Sequence, residues 1–131
     1  MELHIKIAGV LMVVLALLHA VFPRHFRWKE ELASLSLLSR EVMYVHTFFI
    51  ALTVLLMGAL CISSAQELEN TELGKRIAIG LALFWTVRLL IQFFGYSSAL
   101  WRGKTFETTA HIFFSILWLY FSMVFVLVAI Y

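Results

Sequence analysis

The chain has 131 residues, of which 63% are hydrophobic and 14% are charged, and its formal net charge is +2. Soluble domains are usually about 45–50% apolar and about 25% charged, so this composition is typical of a membrane protein. The small net charge, carried by scattered residues, argues against an extended basic surface for nucleic acid. Cys61 is the one cysteine, which excludes an intrachain disulfide, a CxxC redox pair and a cysteine-based zinc site.

Four apolar segments predict four membrane-spanning helices in a single domain that covers residues 1–131. The segments run from about residue 3 to 22, 41 to 62, 75 to 98 and 106 to 131. Each approaches or exceeds the ~20 residues that a helix needs to cross a hydrocarbon core of ~30 Å. Because short links favour antiparallel neighbours, the sequence predicts an all-α integral membrane four-helix bundle with antiparallel up-down topology.

The connecting segments differ in character. The first apolar segment stops before Pro23, whose ring cannot continue a helix interior. No small-residue cleavage site follows this segment, so we interpret it as a retained helix and not as a signal peptide. Residues 24–40 have a weak apolar face, which predicts a short helix lying along the membrane interface. Residues 63–73 are polar and are expected to form a loop.

The distribution of basic residues predicts the orientation of the helices, because cytoplasmic loops of membrane proteins carry an excess of Lys and Arg. Loops one and three hold most of these residues here: Arg24, Arg27, Lys29, Arg40, Arg102 and Lys104. The opposite side has Lys6, Lys75 and Arg76. We therefore expect loops one and three in the cytoplasm and both termini outside, in the inner or plasma membrane of the cell.

The third apolar segment contains a polar stripe. Trp85, Arg88, Gln92 and Tyr96 are spaced i, i+3, i+7 and i+11, which places them on one face of a helix. An arginine at the centre of a membrane helix costs about 2.5–3.5 kcal/mol on insertion scales, so it normally faces protein or water and finds partners there. We therefore expect the other helices to be arranged around this stripe.

Each of the four segments carries a polar side chain at nearly the same depth. At about 1.5 Å per residue, His19, His46, Gln92 and His111 all lie roughly one turn from the cytoplasmic ends of their segments. This matched depth predicts a polar site in the cytoplasmic half of the bundle. Arg88 would lie one turn deeper, where it could hold an anionic group.

Residues next to this layer add to the predicted site. Glu107 precedes His111 by four positions, so it shares a helix face with the imidazole and could orient it, as carboxylates do for metal-bound histidines. Tyr44 lies near His46 at the predicted mouth of the site. His25 follows Pro23 and is expected outside the bundle.

The polar layer formed by His19, His46, Gln92 and His111 favours a haem or metal centre as the function. Imidazole suits iron, copper and zinc, and bundle cores are recurrent places for such sites. His46 and His111 on diagonal helices could hold a b-type haem from opposite sides, an arrangement that resembles membrane cytochromes, with Arg88 near a propionate. Alternatively, His19, His46 and His111 could together bind one transition metal ion and leave a position open for water or substrate.

Two other functions stay open. One is a metal-free pocket for a quinone or another lipophilic molecule, with polar side chains at the head and apolar walls around the tail. The other is an accessory subunit of a larger membrane complex or homo-oligomer, in which the polar layer supplies interhelical hydrogen bonds worth about 0.6–2 kcal/mol each. No phosphate-binding loop or serine-nucleophile motif is present. Catalysis, if the protein is an enzyme, would therefore be redox or metal-assisted chemistry.

The individual residues also have simpler interpretations. A membrane histidine often bonds a backbone carbonyl, and Arg88 could make a purely structural hydrogen bond. We interpret Trp118 and the phenylalanines at 48, 49, 113 and 114 as lipid-facing or core residues. Small residues allow helices to approach closely. We expect that role for four glycines: Gly9, Gly58, Gly80 and Gly95.

Overall fold

A computed structural model describes residues 1–21, 23, 27–95 and 103–131 of the chain. Parts of the first and third loops lie outside the described residues, and with them several residues that the sequence singles out: Arg24, His25, Tyr96 and Arg102. The described residues form helices and connecting turns, without a β-strand.

Four long helices confirm the all-α membrane fold. They are α1 (Glu2–His19), α3 (Leu37–Ser63), α5 (Glu72–Phe94) and α6 (Thr105–Ile130). Each is long and apolar enough to cross a membrane, and many of their large apolar side chains are exposed on the outside, where a bilayer would cover them. The protein is therefore an integral membrane protein whose helices are compatible with a membrane helical bundle.

Two of these helices begin earlier than the apolar runs suggest, because polar residues cap them. The Ser36 hydroxyl accepts a hydrogen bond from the Ser39 backbone N–H at 3.2 Å, and α3 begins at Leu37. The Thr71 hydroxyl accepts one from the Gly74 N–H at 2.9 Å, and α5 begins at Glu72. Such side-chain caps satisfy N–H groups that the first turn of a helix leaves without partners.

Short helices occupy two connecting segments. Within the first loop, residues 28–34 form α2 (Trp28–Glu31) and a 3-10 turn (Leu32–Ser34), in agreement with the short helix expected between residues 24 and 40. The loop expected at residues 63–73 is wrong, because residues 65–70 form the helix α4 (Ala65–Asn70). Ala65 and Leu68 are each only 2% exposed, so this polar stretch has a small buried apolar face that its overall composition hides.

The helices fall into two compact units. The first unit (Lys6–Ser63) contains most of α1 together with α3. These helices run antiparallel, since Gly9 of α1 meets Gly58 of α3 while residues 16–20 lie beside residues 44–55. The second unit (Met1–Ile5 with Ser64–Tyr131) contains α4, α5 and α6. Its helices α5 and α6 also run antiparallel.

Polar contacts in the second unit hold both chain termini at one end. The Met1 ammonium lies 3.4 Å from a Glu69 carboxylate oxygen. At the other terminus, the Lys75 Nζ donates a hydrogen bond of 3.0 Å to the Tyr131 carbonyl. The two termini therefore share the end of this unit at which α4 meets α5, as the up-down topology requires.

Candidate functional site

A polar network joins α5 to α6 in the second unit, and its centre is the Gln92 side chain, which is 7% exposed. Gln92 Oε1 accepts hydrogen bonds from Arg88 Nη1 at 3.3 Å and from Trp118 Nε1 at 3.2 Å. Gln92 Nε2 lies 2.9 Å from His111 Nδ1. The described part of the stripe predicted on the third apolar segment therefore faces α6, and its three members, Trp85, Arg88 and Gln92, all contact Trp118.

The network determines which nitrogen of His111 accepts a hydrogen bond and which one carries the ring proton. An arginine guanidinium and an indole N–H can only donate, so Gln92 must turn its carbonyl oxygen toward Arg88 and Trp118. Its NH₂ group, which can also only donate, then faces His111 Nδ1, and Nδ1 must accept. A neutral His111 in this arrangement carries its proton on Nε2. A metal bound at Nε2 needs a lone pair there, so ligation by His111 would require a different network.

Aromatic stacking surrounds the Trp118 ring, which is 5% exposed. The guanidinium carbon of Arg88 lies 5.0 Å from the ring centroid, within range of a cation–π interaction. Trp85 stacks on Trp118 at 5.2 Å with 15° between the planes, and Phe114 does so at 5.6 Å with 18°. The Arg88 guanidinium therefore contacts protein. This agrees with the expectation from the sequence, because exposing an arginine to hydrocarbon costs free energy.

Trp118 is the member of the network that the sequence interpretation missed. It was expected to be a lipid-facing or core residue, yet its indole N–H is one of the donors that orient Gln92. The spacing carried a signal for this role, because His111 and Trp118 are seven positions apart and lie on one face of α6. Glu107, expected to orient His111, is exposed at the beginning of α6. Gln92 provides the observed partner of His111 Nδ1 instead.

A cavity of about 300 Å³ opens in the first unit between α1 and α3. Its two ends differ in chemistry. Around the end near the first loop lie His19, Pro23, Tyr44, Thr47 and Phe48. Around the remainder lie only apolar side chains: Ala16, Leu17, Ala20, Ala51, Leu52 and Leu55. Because α1 and α3 are antiparallel, the polar groups gather at one end of the cavity and the apolar walls extend toward the middle of the helices.

Hydrogen bonds and ring contacts orient the polar groups of this cavity. His19 Nδ1 lies 2.9 Å from the Leu15 carbonyl, which can only accept, so Nδ1 carries a proton. A neutral His19 then has its acceptor lone pair on Nε2. The Trp28 ring packs edge-on against Tyr44 at 5.6 Å and 65°, so α2 helps to fix the tyrosine at the cavity.

His46 lies away from this cavity. Its Nδ1 donates a hydrogen bond of 2.8 Å to the Val42 carbonyl, and the side chain is exposed. Successive residues of an α-helix turn by about 100°, so His46 projects on the opposite side of α3 from Tyr44, Phe48 and Ala51. Within the first unit, His19 and His46 therefore do not face a common space.

The described residues contain no group of three or more His, Cys, Asp or Glu side chains that could hold a metal ion. Within the first unit, Tyr44 lines the cavity together with His19, and His46 lies on the far face of α3. Within the second unit, Arg88, Gln92 and His111 belong to the polar network.

No protein-family model matches this chain, and comparisons with curated proteins and with solved structures find no match either.

Proposed function

We propose that this protein is a membrane-embedded binding protein for a lipophilic small molecule, held in the cavity between α1 and α3. The cavity itself carries the proposal. Its volume of about 300 Å³ is at the lower end of the range for small-molecule sites, about 300–1,000 Å³. Such sites are mostly apolar and contain a few polar groups that fix the orientation of the ligand. Three polar side chains at one end, His19, Tyr44 and Thr47, fit that description.

The position of the polar end suggests the side of the membrane from which the ligand is reached. It adjoins the first loop, whose described basic residues include Arg27, Lys29 and, at the beginning of α3, Arg40. On the positive-inside rule, this loop lies in the cytoplasm and both termini lie outside. We therefore place the cavity in the cytoplasmic leaflet of an inner or plasma membrane, with its polar end toward the lipid headgroups.

We assign the network of Arg88, Gln92, His111 and Trp118 a structural role in this proposal. Its donors and acceptors are matched to one another, and Gln92 and Trp118 are buried. Interhelical hydrogen bonds of this kind stabilise membrane helix pairs by about 0.6–1.7 kcal/mol each. The network would thus hold α5 against α6, and the ligand would bind in the other unit.

Blocking the cavity tests the proposed function. The probe is a decylbenzene that carries a photoreactive diazirine, added to the purified protein in lipid nanodiscs, and labelled residues are located by mass spectrometry. We expect labelling of residues 44–55 that an excess of plain decylbenzene suppresses. Ala51→Trp should remove this saturable labelling, because the indole fills the cavity that Ala51 lines.

Ile50→Trp is the matched control, since Ile50 is 51% exposed, lies about 100° around α3 from Ala51 and does not line the cavity. The Ile50→Trp variant should leave the saturable labelling unchanged. Labelling that decylbenzene cannot suppress, or that is equally strong in both tryptophan variants, would show that the probe reports lipid exposure and would overturn the proposed function.

A haem or metal centre is a second proposal, supported by the hydrogen bonds that two histidines make to the backbone. His19 and His46 each donate Nδ1–H to a backbone carbonyl, at 2.9 and 2.8 Å. Metal-bound histidines usually make this bond, because it leaves Nε2 as the ligating atom. Under this proposal His19 or His46 would hold a haem iron or a transition metal through Nε2, in an oxidoreductase or electron-transfer role that could include a homo-oligomer or larger membrane complex.

Absorption spectra of the detergent-purified protein, oxidised and dithionite-reduced, separate the two proposals when combined with elemental analysis. The second proposal predicts either sharp reduced haem bands with stoichiometric iron, or stoichiometric metal without those bands. In the haem case, His19→Ala or His46→Ala, whichever removes the ligand, should lose the bands. Protein purified without loss of bound groups that shows neither signal would eliminate this proposal and leave the lipophilic ligand.

A further inference from the structure

We infer that the molecule bound between α1 and α3 carries an alkyl tail of about eight to ten carbons, and that Leu55 and the helix contact beyond it set this length. The inference rests on the proposed function and specifies the tail of its ligand. It follows from the place where the cavity ends and from the length of its apolar wall.

The apolar end of the cavity is closed by a close contact between the two helices. The innermost described residues of its lining are Ala16 on α1 and Leu55 on α3. Gly58 follows Leu55 by three positions, on the same face of α3. A Cβ atom at Gly58 would lie 2.7 Å from the Gly9 carbonyl oxygen and 2.9 Å from a Val13 methyl carbon. Helices this close leave no space for an alkyl chain between them, so a tail in the cavity has to end at Leu55.

The apolar wall of the cavity sets the length of the tail that fits. On α3 this wall runs from Phe48, at the polar end, to Leu55. These positions are seven residues apart, and a rise of about 1.5 Å per residue gives a length of roughly 10 Å. An extended chain advances about 1.2 Å per bond, so about eight to ten carbons fill this length, whereas a chain of sixteen carbons needs roughly 18 Å.

The limited length lets the cavity distinguish its ligand from the surrounding lipid. Ala16, Ala20 and Ala51 leave the space that a tail would fill, and a tail that fits gains contacts with walls that otherwise face a void. The tails of bilayer lipids reach about half of a hydrocarbon core of ~30 Å, which is longer than the apolar wall. Such a tail would have to bend or force α1 and α3 apart, which is unfavourable in the same way as overpacking a core.

Competition by alkylbenzenes of graded tail length tests the inference in the full-length protein in nanodiscs. Each competitor is compared with the photoreactive decylbenzene probe by its mole fraction in the lipid, so that partitioning into the bilayer does not contribute. We expect octylbenzene or decylbenzene to suppress labelling best. Hexadecylbenzene should need about a tenfold higher mole fraction, because its tail exceeds the closed end of the cavity.

Leu55 supplies two variants with opposite expected effects. Leu55→Ala removes most of the side chain at the closed end, so the preferred tail should lengthen toward dodecylbenzene. Leu55→Phe places a larger side chain there, so the preferred tail should shorten toward hexylbenzene. Leu56→Ala is the matched control, because Leu56 is 60% exposed and does not line the cavity. It should keep the preference of the unsubstituted protein.

Two results would overturn the inferred tail length and leave the proposed function standing. One is suppression that does not depend on tail length, and the other is a preference that neither Leu55 variant changes. Thermal unfolding identifies a Leu55 variant that does not fold, and the remaining variant then decides. Absence of saturable labelling in the unsubstituted protein would overturn both the tail length and the proposed function.

Discussion

Replacing Gly58 with alanine is expected to destabilise the packing of α1 against α3. A Cβ atom at Gly58 would lie 2.7 Å from the Gly9 carbonyl oxygen and 2.9 Å from a Val13 methyl carbon. The oxygen belongs to the backbone of the opposite helix and cannot rotate away, so the helices would have to separate. Overpacking of this kind typically costs about 1–3 kcal/mol, and we expect the upper part of that range. Thermal unfolding in detergent or nanodiscs measures the loss.

Gly80→Ala provides the matched control. A Cβ atom at Gly80 would meet nothing within 4 Å, so the close helix approach expected from the sequence at this glycine is wrong. Alanine also favours a helix over glycine by about 0.8–1.0 kcal/mol in an exposed interior position. Gly80→Ala should therefore match or exceed the native protein in stability. If Gly58→Ala proves as stable as Gly80→Ala, α1 and α3 do not make the close contact at Gly9.

Replacing Gln92 with leucine is expected to weaken the association of α5 with α6. The change removes the two hydrogen bonds that Gln92 makes to α6, with His111 and with the Trp118 indole. At about 0.6–1.7 kcal/mol for each interhelical bond in a membrane, the loss is roughly 1–3 kcal/mol. The buried Trp118 N–H would also lose its acceptor, so we expect a loss of stability near the upper end of this range. Thermal unfolding measures this change as well.

The same substitution at Gln66 is the control for Gln92, because Gln66 is exposed on the short helix α4. Gln66→Leu should change stability by less than about 0.5 kcal/mol, as is usual for surface positions. A second readout is the ¹⁵N spectrum of His111, in which the native network predicts a proton on Nε2 and an acceptor at Nδ1. A spectrum with the proton on Nδ1, or equal stability of the two leucine variants, would contradict the network.

Some features of this protein follow from the sequence because they depend on local properties. The four spans are examples, since a run of apolar residues long enough to cross a bilayer has few stable alternatives to a helix. The face formed by Trp85, Arg88 and Gln92 is another, because helical periodicity alone brings these positions together. The helix at residues 65–70 was missed because its apolar face consists of little more than Ala65 and Leu68.

Local sequence patterns do not identify which side chains contact each other across an interface between two helices. The sequence placed Arg88 against protein, but it did not identify Trp118 as the surface on which the guanidinium rests or as the donor that orients Gln92. Those contacts depend on how α5 and α6 are rotated about their axes. Rotation is determined by the sum of many side-chain contacts along an interface and not by any one spacing.

The three histidines of the predicted site, His19, His46 and His111, show the same division between sequence and tertiary structure. The sequence by itself determined their positions along the helices, because the rise of an α-helix is fixed at about 1.5 Å per residue. Only the tertiary structure decided their surroundings. The close approach of Gly9 and Gly58 turns one face of α3 toward α1, so that Tyr44 joins His19 at a cavity while His46 projects from the far side. Depth along a helix is a local property, whereas direction around it depends on which faces pack against each other.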